Sequence, residues 1–425
     1  MVYVIVGASA SGINAAKTIR EYDKDAEVIL VSKDDRVYSR CILHHFLDSR
    51  RDIKDLDFTP KDFFDMYNIK WLKGIEVIGI DIKEKVLSLS NKESLKYDKV
   101  LLAAGASSFL PPIENLRTSN NIIGLRNLDD AIKIKELTKK VKNVAILGAG
   151  LVGVDALAGL LDYDVNLTMI EMGDRMLPLQ LDKYSANVYE ERLRKEGVNF
   201  KFGVRAEKVI VDNDNNPVSI KLNTGEKVPC ELIIACAGVR ANVGFLKDTG
   251  IECDKFGLII NAKGETNAKD VYGAGDITGR NPIWPTAVKE GIIAANNMVG
   301  KETFMEDYFA SKNTMNFCGV ATMSLGIVTK PDDDYEEIVD IDGKDYRKII
   351  YKDGAIYGAI VQGDLSYVGV LTQLIKQKIN VDKVKKPLFD IDYSDFFNET
   401  ENLEFVYWFK WEINNYNNMI VINIL

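Results

Sequence analysis

The stretch Asn143-Val-Ala-Ile-Leu-Gly-Ala-Gly-Leu-Val-Gly153 decides the fold of this chain. Its apolar first half predicts a buried strand, and Gly148, Gly150 and Gly153 follow in the spacing G-x-G-x-x-G. A helix over residues 151–161 and a second apolar strand come next. A strand, a glycine turn, a helix and a strand in this order predict a βαβ unit that binds a dinucleotide.

Each glycine has its own role in such a unit. The first makes the tight turn, the second lets a pyrophosphate approach the backbone, and the third lets helix and strand pack closely. Glu171 lies 21 residues after Gly150, at the end of the second strand. An acid there accepts a hydrogen bond from a ribose 2′-hydroxyl and repels a 2′-phosphate, so the sequence predicts NADH rather than NADPH.

The N-terminus repeats this pattern in a weaker form. The apolar run Val2–Val6 leads into Gly7-Ala-Ser9-Ala-Ser-Gly12 and a helix that reaches about Tyr22. Ser9 stands where the second glycine is expected, and the acid Asp34 comes slightly late. On these residues alone, a dinucleotide site and a purely structural turn both remain open.

Two further segments favour a flavin site. The strand after Tyr97 ends in Ala103-Ala104-Gly105, a small-residue turn that could pass beneath a cofactor. Residues 266–276 end in Gly275-Asp276, and this aspartate can hydrogen-bond a sugar-alcohol hydroxyl of a flavin.

Composition excludes several other classes of protein. The 425 residues include 63 acids and 54 bases, for a net charge of −9, so no basic surface for nucleic acid or anionic membrane is expected. The two histidines are adjacent and none of the five cysteines forms a CxxC pair, so we expect no metal site, iron–sulfur cluster or disulfide framework. The start lacks a signal peptide and no apolar run is long enough for a membrane helix, which predicts a cytoplasmic protein.

Taken in order, these segments resemble the flavoproteins of the pyridine nucleotide–disulfide oxidoreductase class over about residues 1–300. Ala237-Gly238 and the helical stretch that starts at Trp284 and contains Ala287 add to the resemblance. It implies the cofactors FAD and NADH and an enzyme that moves a hydride from NADH to the flavin. The cofactor-binding residues it implies are Gly7, Ser9, Gly12, Asp34, Arg40, Ala104, Gly105, Gly148, Gly150, Gly153, Asp155, Glu171, Gly238, Gly275, Asp276 and Ala287. Asp155 stands where many members carry a glutamate near the nicotinamide.

The resemblance also implies the domain organisation. We expect an α/β fold with two Rossmann-like nucleotide-binding domains and a C-terminal α+β interface domain. An FAD domain of residues 1–112 and 235–300 would be interrupted by an NAD domain of residues 113–234. Residues 301–400 would form the interface domain of a homodimer, and the aromatic tail 401–425 has no assigned role.

The electron acceptor depends on residues 38–47. Cys41 resembles the single redox cysteine of NADH oxidases and coenzyme A disulfide reductases, and its thiol pKa would be lowered by a helix start and by His44 and His45. It would then reduce a small disulfide, oxygen or a peroxide. Tyr38-Ser39-Arg40, however, is similar to the Tyr-x-Arg of NADH:rubredoxin reductases, which need no redox cysteine.

Three functions therefore remain open. The first is a flavoenzyme acting through Cys41, and the second is a reductase of a small redox protein such as rubredoxin, with Cys41 a bystander. The third is a non-enzymatic FAD/NADH-binding sensor, which the intact second glycine loop disfavours. The other cysteines, namely Cys230, Cys236, Cys253 and Cys318, are predicted to lie in the core.

Overall fold

The computed structural model describes residues 1–306, 312–399 and 405–407. The α-helices of these residues are α1 (Ala10–Tyr22), α2 (Leu43–Leu47), α3 (Phe63–Met66), α4 (Leu128–Thr138), α5 (Leu151–Ala158), α6 (Lys183–Lys195), α7 (Trp284–Met298) and α8 (Val368–Lys376). Within the described ranges, no helix has both the length and the apolar character that a membrane crossing requires.

The strands of the N-terminal part are β1 (Val2–Val6), β2 (Glu27–Ser32), β3 (Ile69–Lys73), β4 (Val77–Asp81), β5 (Val86–Leu89), β6 (Ser94–Lys96), β7 (Lys99–Leu102), β8 (Ala106–Ser108), β9 (Ile122–Gly124), β10 (Asn143–Leu147), β11 (Asn166–Ile170) and β12 (Asn199–Lys201). The later strands are β13 (Ala206–Val211), β14 (Pro217–Leu222), β15 (Lys227–Pro229), β16 (Leu232–Ala235), β17 (Val239–Ala241), β18 (Val271–Gly273), β19 (Lys312–Phe317), β20 (Val320–Gly326), β21 (Glu336–Asp342), β22 (Asp345–Lys352), β23 (Ala355–Gln362), β24 (Phe397–Glu399) and β25 (Phe405–Tyr407).

Two parallel five-stranded sheets carry the nucleotide-binding loops. The first has the order β18-β7-β1-β2-β3 and the second the order β12-β11-β10-β16-β9. Parallel sheets are covered on both faces, which explains why the strands of both loops are nearly continuous apolar runs. Side chains on the two faces of β1 and β2 belong to different clusters of the core, one of which also contains the buried residues of α1.

The two sheets are built on one plan, as the sequence predicted from its repeated βαβ pattern. In each, a glycine loop joins the central strand to a helix and a neighbouring parallel strand, β1-α1-β2 or β10-α5-β11. Each also has a three-stranded antiparallel sheet inserted in the chain, with β4-β5-β6 preceding strand β7 of the first sheet and β13-β14-β15 preceding strand β16 of the second. The edge strand β18 comes from residues 271–273, so the first sheet closes only after the second is complete.

An antiparallel ribbon joins the two segments of chain that connect the sheets. Strand β8 leaves the first sheet and β17 returns from the second, and they pair with Ala106 opposite Ala241 and Ser108 opposite Val239. The chain therefore leaves the first sheet and returns to it at the same place.

The described residues from 312 onward form a separate compact unit. It contains an antiparallel sheet in the order β19-β20-β23-β22-β21, and α8 follows the sheet in the chain. The predicted α/β fold with two Rossmann-like domains and a C-terminal α+β domain is confirmed by these sheets, whereas the exact domain limits stay predictions. Most of the aromatic tail 401–425 lies outside the described residues.

Several predicted elements differ in their ends or their number. The apolar stretch 314–328 forms two strands, because Cys318 and Gly319 adopt φ angles of +51° and +70° and turn the chain between β19 and β20. Helix α5 ends at Ala158 rather than at residue 161, so it is shorter than predicted.

The prediction that four cysteines lie in the core is only partly correct. Cys230 is buried and Cys236 is half-buried, but Cys253 and Cys318 are exposed. Cys318 occupies the turn just described, and Cys253 stands between the polar residues Glu252 and Asp254. Local hydrophobicity around a cysteine does not reveal whether its own position faces the solvent.

Candidate functional site

The first glycine loop is packed so tightly that side chains are excluded at two positions. A Cβ on Gly7, whose φ is +117°, would lie 2.1 Å from the carbonyl oxygen of Ala103. A Cβ on Gly12 would lie 1.8 Å from the carbonyl oxygen of Gly7. The loop, the start of α1 and the end of β7 are therefore in direct contact, as the sequence predicted.

Ser9, the residue that departs from the glycine pattern, fits this loop without strain. It is the N-cap of α1 with an extended backbone, and Arg40 donates a hydrogen bond to its Oγ over 3.2 Å. Arg40 is also paired with Asp34, the acid after β2. The first turn of α1 contains no acidic residue, so its N–H groups and the Arg40 guanidinium provide a favourable place for an anion.

The second glycine loop has the same packing with one difference. A Cβ on Gly153 would lie 2.0 Å from the carbonyl oxygen of Gly148, and one on Gly148 would lie 2.4 Å from that of Cys236. A Cβ on Gly150, by contrast, would meet no atom within 4 Å. The space above Gly150 is open, which is what the close approach of a pyrophosphate requires.

Glu171 also holds this loop in place. Its Oε2 accepts a hydrogen bond from the backbone N–H of Ala149 over 2.8 Å, and its Oε1 accepts one from that of Gly173 over 2.7 Å. The acid predicted to recognise ribose therefore lies at the end of β11 against the glycine loop. Each carboxylate oxygen has a second lone pair with which to accept from a hydroxyl.

The turn at Gly275 and Asp276 faces Arg126, which lies just after strand β9. Asp276 forms an ion pair with Arg126, whose Nε also donates to the carbonyl oxygen of Ala106 over 3.1 Å. Sequence analysis missed Arg126, because 150 positions separate it from Asp276 and no local pattern marks it. The pair links the two nucleotide-binding sheets at the predicted flavin-ribose position.

The remaining predicted cofactor residues lie on turns around this point. Gly105, Gly238 and Gly275 have φ angles of +68°, +95° and +80°, a backbone region that glycine enters at little cost. The carbonyl oxygen of Ala104 accepts from Asn242 over 2.9 Å, so the small-residue turn after β7 is fixed against the returning chain. Ala287 is buried in the first turn of α7.

Cys41 is exposed and lies in a short 3₁₀ turn, Arg40–Ile42, rather than at the start of an α-helix. Helix α2 begins two residues later at Leu43 and has only five residues. Although the residue is exposed, the protein atoms packed around its thiol desolvate it and raise its pKa, the charges of Asp155 and Asp276 raise this pKa as well, and Arg126 opposes them. The predicted lowering of this pKa is therefore wrong for the protein alone.

The two histidines do not supply the positive charge that was expected. Burial, followed by the proximity of His45, lowers the pKa of His44 to about 4, so His44 is neutral at pH 7. Both histidines are half-buried, and their rings are in contact with centroids 4.0 Å apart. His44 therefore adds no positive charge beside the thiol at neutral pH.

Asp155 is the most perturbed acid of the cleft. Burial raises its pKa to about 7, and its Oδ1 lies 3.6 Å from Nδ1 of His44. A cavity of about 40 Å³ opens here, lined by Arg40, Leu43, His44, Leu125, Arg126, Val152 and Asp155. The cavity thus brings together predicted residues from both glycine units, with Arg126 as an addition.

Comparison with known proteins gives the same picture for the whole chain. The sequence model of the pyridine nucleotide-disulphide oxidoreductase family matches residues 1–291, and that of the rubredoxin NAD+ reductase C-terminal domain matches residues 312–379. The NADH oxidase of Methanocaldococcus jannaschii is 29% identical over 320 residues, which cover 70% of each chain.

Two further relatives have other acceptors in their names. The rubredoxin-NAD(+) reductase of Alcanivorax borkumensis is 28% identical over 275 residues, covering 64% of this chain and 71% of that one. The solved structure of a NAD-dependent persulfide reductase from A. fulgidus shares the fold, with a TM-score of 0.84 at 23% identity, covering 92% of this chain and 80% of that one.

Proposed function

This chain belongs to the pyridine nucleotide-disulphide oxidoreductase family, and from this premise we propose that it passes electrons from NADH, through FAD, to a small redox protein. It is an NADH-dependent flavoprotein oxidoreductase with FAD and NADH as cofactors. When bound, FAD accepts a hydride from NADH and releases the two electrons to an acceptor. The acceptor is the part of the function that is proposed here.

The residues around the first glycine loop fit FAD. The open start of α1 and Arg40 suit a pyrophosphate, and Asp34 would bind the adenosine ribose. Asp276 would bind the ribityl chain, with its orientation fixed by Arg126. Helix α7 would direct its N-terminus at the flavin and stabilise negative charge there.

The second glycine loop fits NADH in the same way. Gly150 leaves space for the pyrophosphate, and Glu171 would accept from the ribose 2′-hydroxyl. Asp155 lies in the first helical turns of the same unit, at the cavity shared with His44. We therefore assign FAD binding to residues 1–112 and 235–300 and NADH binding to residues 113–234. Residues 301–400 are proposed to form the interface of a homodimer, and the protein is proposed to act in the cytoplasm.

The proposal of a protein acceptor rests on the protonation and surroundings of the Cys41 thiol. A redox thiol reacts as the thiolate, and this thiol has a raised pKa, no helix start at its own position and a neutral His44 beside it. An electron-transfer reductase needs no thiolate. The match of residues 312–379 to the C-terminal domain of rubredoxin NAD+ reductase supports the same acceptor class.

Two adjacent arginines, Arg50 and Arg51, follow α2 and suit an acidic group of a partner, although residues 48–55 as a whole carry three basic and three acidic residues. Arg50 and Arg51 are exposed, as is Lys54, although Asp48 lies 3.2 Å from Arg50 and reduces the local charge. Electrostatic docking on such a segment would speed association at low ionic strength. We expect the rate of reduction of rubredoxin to fall as salt increases, and to fall less steeply after Arg51→Gln.

A second candidate rests on the exposure of Cys41 in the cleft. An exposed thiol can attack a small disulfide, and Asp155 could accept the thiol proton above pH 7. In that case Cys41 would form a mixed disulfide with one half of the substrate and release the other half as a thiol. An electron pair from the reduced cofactor would then break this mixed disulfide, which would return Cys41 as the thiolate and release the second half of the substrate as a thiol.

One titration separates the two candidates. The holoenzyme is reduced anaerobically with NADH in the wild type, in Cys41→Ser and in Cys253→Ser, an exposed cysteine that serves as the matched control. For a protein acceptor, all three take up two electrons per flavin and reduce oxidised rubredoxin at the same rate. Uptake of four electrons by the wild type and the control, but two by Cys41→Ser, would establish the thiol mechanism instead.

A further inference from the structure

Glu290 is a titratable side chain that the functions above do not use. It lies in α7, and its Oε2 accepts a hydrogen bond from the backbone N–H of Gly275 over 2.7 Å. Burial raises the pKa of this carboxyl to about 7, Asp276 raises it further, and the Gly275 N–H and Arg280 oppose them. Near neutral pH, this group is therefore divided between its acid and its carboxylate forms.

Two close contacts place Glu290 next to the start of α1. A Cβ on Gly275 would lie 2.2 Å from Oγ of Ser11, and a Cβ on Gly291 would lie 2.4 Å from the carbonyl oxygen of Ser11. The turn that binds Glu290 and the residue next to it in α7 are thus both packed against Ser11. Ser11 belongs to the first turn of α1, where the FAD pyrophosphate is assigned.

Several of the positively charged groups near Glu290 and the start of α1 are already paired with acids, and Arg40, which would meet the pyrophosphate, is paired with Asp34. The first turn of α1 has no acidic residue and no side chain that ionises, and the Gly275 turn contributes Asp276, which is paired with Arg126. The following loop contributes Arg280, which is 2.6 Å from Asp254 and paired with it. On α7 itself the adjacent residue is Lys289.

A bound pyrophosphate brings two negative charges to the start of α1. Like charges disfavour the ionised form of a neighbouring carboxyl group, and partial burial weakens the screening by water. We propose that Glu290 takes up one proton from solvent when FAD binds, so that FAD affinity decreases as the pH rises above neutrality. This inference rests on the assignment of FAD to the first glycine loop.

The test measures FAD release from diluted holoenzyme by the fluorescence of free FAD between pH 6 and 9. In the wild type, the dissociation constant is expected to rise above pH 7, by no more than tenfold per pH unit, because one proton is linked to binding. Glu290→Gln can still accept from Gly275 but cannot ionise, so its dissociation constant should show no such rise. At pH 8.5, the variant should bind FAD several-fold more tightly than the wild type.

Two controls keep the outcomes distinct. Glu21→Gln, at the exposed far end of α1, should follow the wild-type curve. Direct proton uptake, measured with an indicator dye when FAD is added back to wild-type protein at pH 7.5, should approach half a proton or more. Parallel curves for wild type and Glu290→Gln, or no proton uptake, would overturn the inference while FAD binding and reduction by NADH persist. If Gly12→Ala retained FAD, the assignment of the loop itself would be at fault.

Discussion

Replacing Gly150 by alanine should weaken NADH binding while leaving the fold intact. The backbone at Gly150 has a φ of −74° and a ψ of −177°, which alanine adopts readily, and the new methyl group meets no atom within 4 Å. The residue is the N-cap of α5, where alanine is less favourable than glycine, so a loss of up to about 1 kcal/mol in stability is expected. The methyl group instead occupies the space required by the pyrophosphate.

The size of the effect follows from overpacking. Forcing one methyl group into a close contact costs about 1–3 kcal/mol, which corresponds to a roughly 5- to 150-fold weaker affinity for NADH. Gly153→Ala is the matched comparison, because its methyl group would lie 2.0 Å from the carbonyl oxygen of Gly148. That contact requires a shift of about 1 Å between helix and strand and costs about 3 kcal/mol, of which the higher helix propensity of alanine returns about 1.

The assay combines thermal unfolding with anaerobic stopped-flow reduction of the bound flavin by NADH. Gly150→Ala should keep its FAD and its melting temperature within a few degrees, and should need a higher NADH concentration for half-maximal reduction. Gly153→Ala should melt several degrees lower. If Gly150→Ala leaves the NADH dependence within twofold, or releases FAD, NADH does not bind at the second glycine loop.

Three further predictions follow from single side chains. Glu171→Ala removes a carboxylate whose repulsion of a 2′-phosphate at contact distance is of the order of 1–4 kcal/mol; the ratio of kcat/KM for NADH over NADPH should fall at least tenfold, and an unchanged ratio would show that another residue selects the cofactor. The pKa of Asp155 is raised to about 7 in the folded protein, so between pH 4 and 7 the folded state keeps a proton that the unfolded state loses, and the stability contributed by Asp155 declines across that window. In urea unfolding, Asp155→Asn should be more stable than wild type at pH 8 but not at pH 4. An equal difference in unfolding free energy between variant and wild type at the two pH values would contradict the raised pKa. Arg20 is buried and donates hydrogen bonds to four backbone carbonyl oxygens, those of Asp23, Lys24, Tyr67 and Asn68. In urea unfolding, Arg20→Met should lower the free energy of unfolding by at least about 3 kcal/mol, because these acceptors lose their donors. A decrease of less than about 1 kcal/mol would mean that water replaces the guanidinium.

The glycine loops could be predicted from the sequence because their spacing is a local steric requirement. The contact of Gly12 with Gly7, and that of Gly153 with Gly148, join residues only five positions apart. Any chain that packs a helix this closely onto its preceding strand needs glycine at both places. The acid Glu171 is likewise fixed by the length of one helix and one strand.

The electrostatics of the cleft could not be predicted in the same way. The thiol of Cys41 responds to Asp155 and Asp276, which are 114 and 235 positions away in the chain. The sequence suggested a helix start and two cationic histidines, both of which would lower the pKa of this thiol. In the folded protein, desolvation and the nearby acids raise the pKa of this thiol instead. Both effects depend on which distant segments of the chain come together.

The long-range pair of Arg126 and Asp276 was missed for a related reason. One residue belongs to the second glycine unit and the other to the returning part of the first, so they meet only because the first sheet is interrupted. Glu290 likewise stood inside a recognised motif without a role, because its partner Gly275 and its neighbour Ser11 lie on other segments.

The ribbon formed by β8 and β17 has a consequence for how such a chain can be rebuilt. Since the strands that leave and return are hydrogen-bonded to each other, the intervening residues form a cassette with adjoining ends. A cassette of this kind can be exchanged for one with a different nucleotide preference by two cuts within the ribbon, without altering the path of the surrounding sheet.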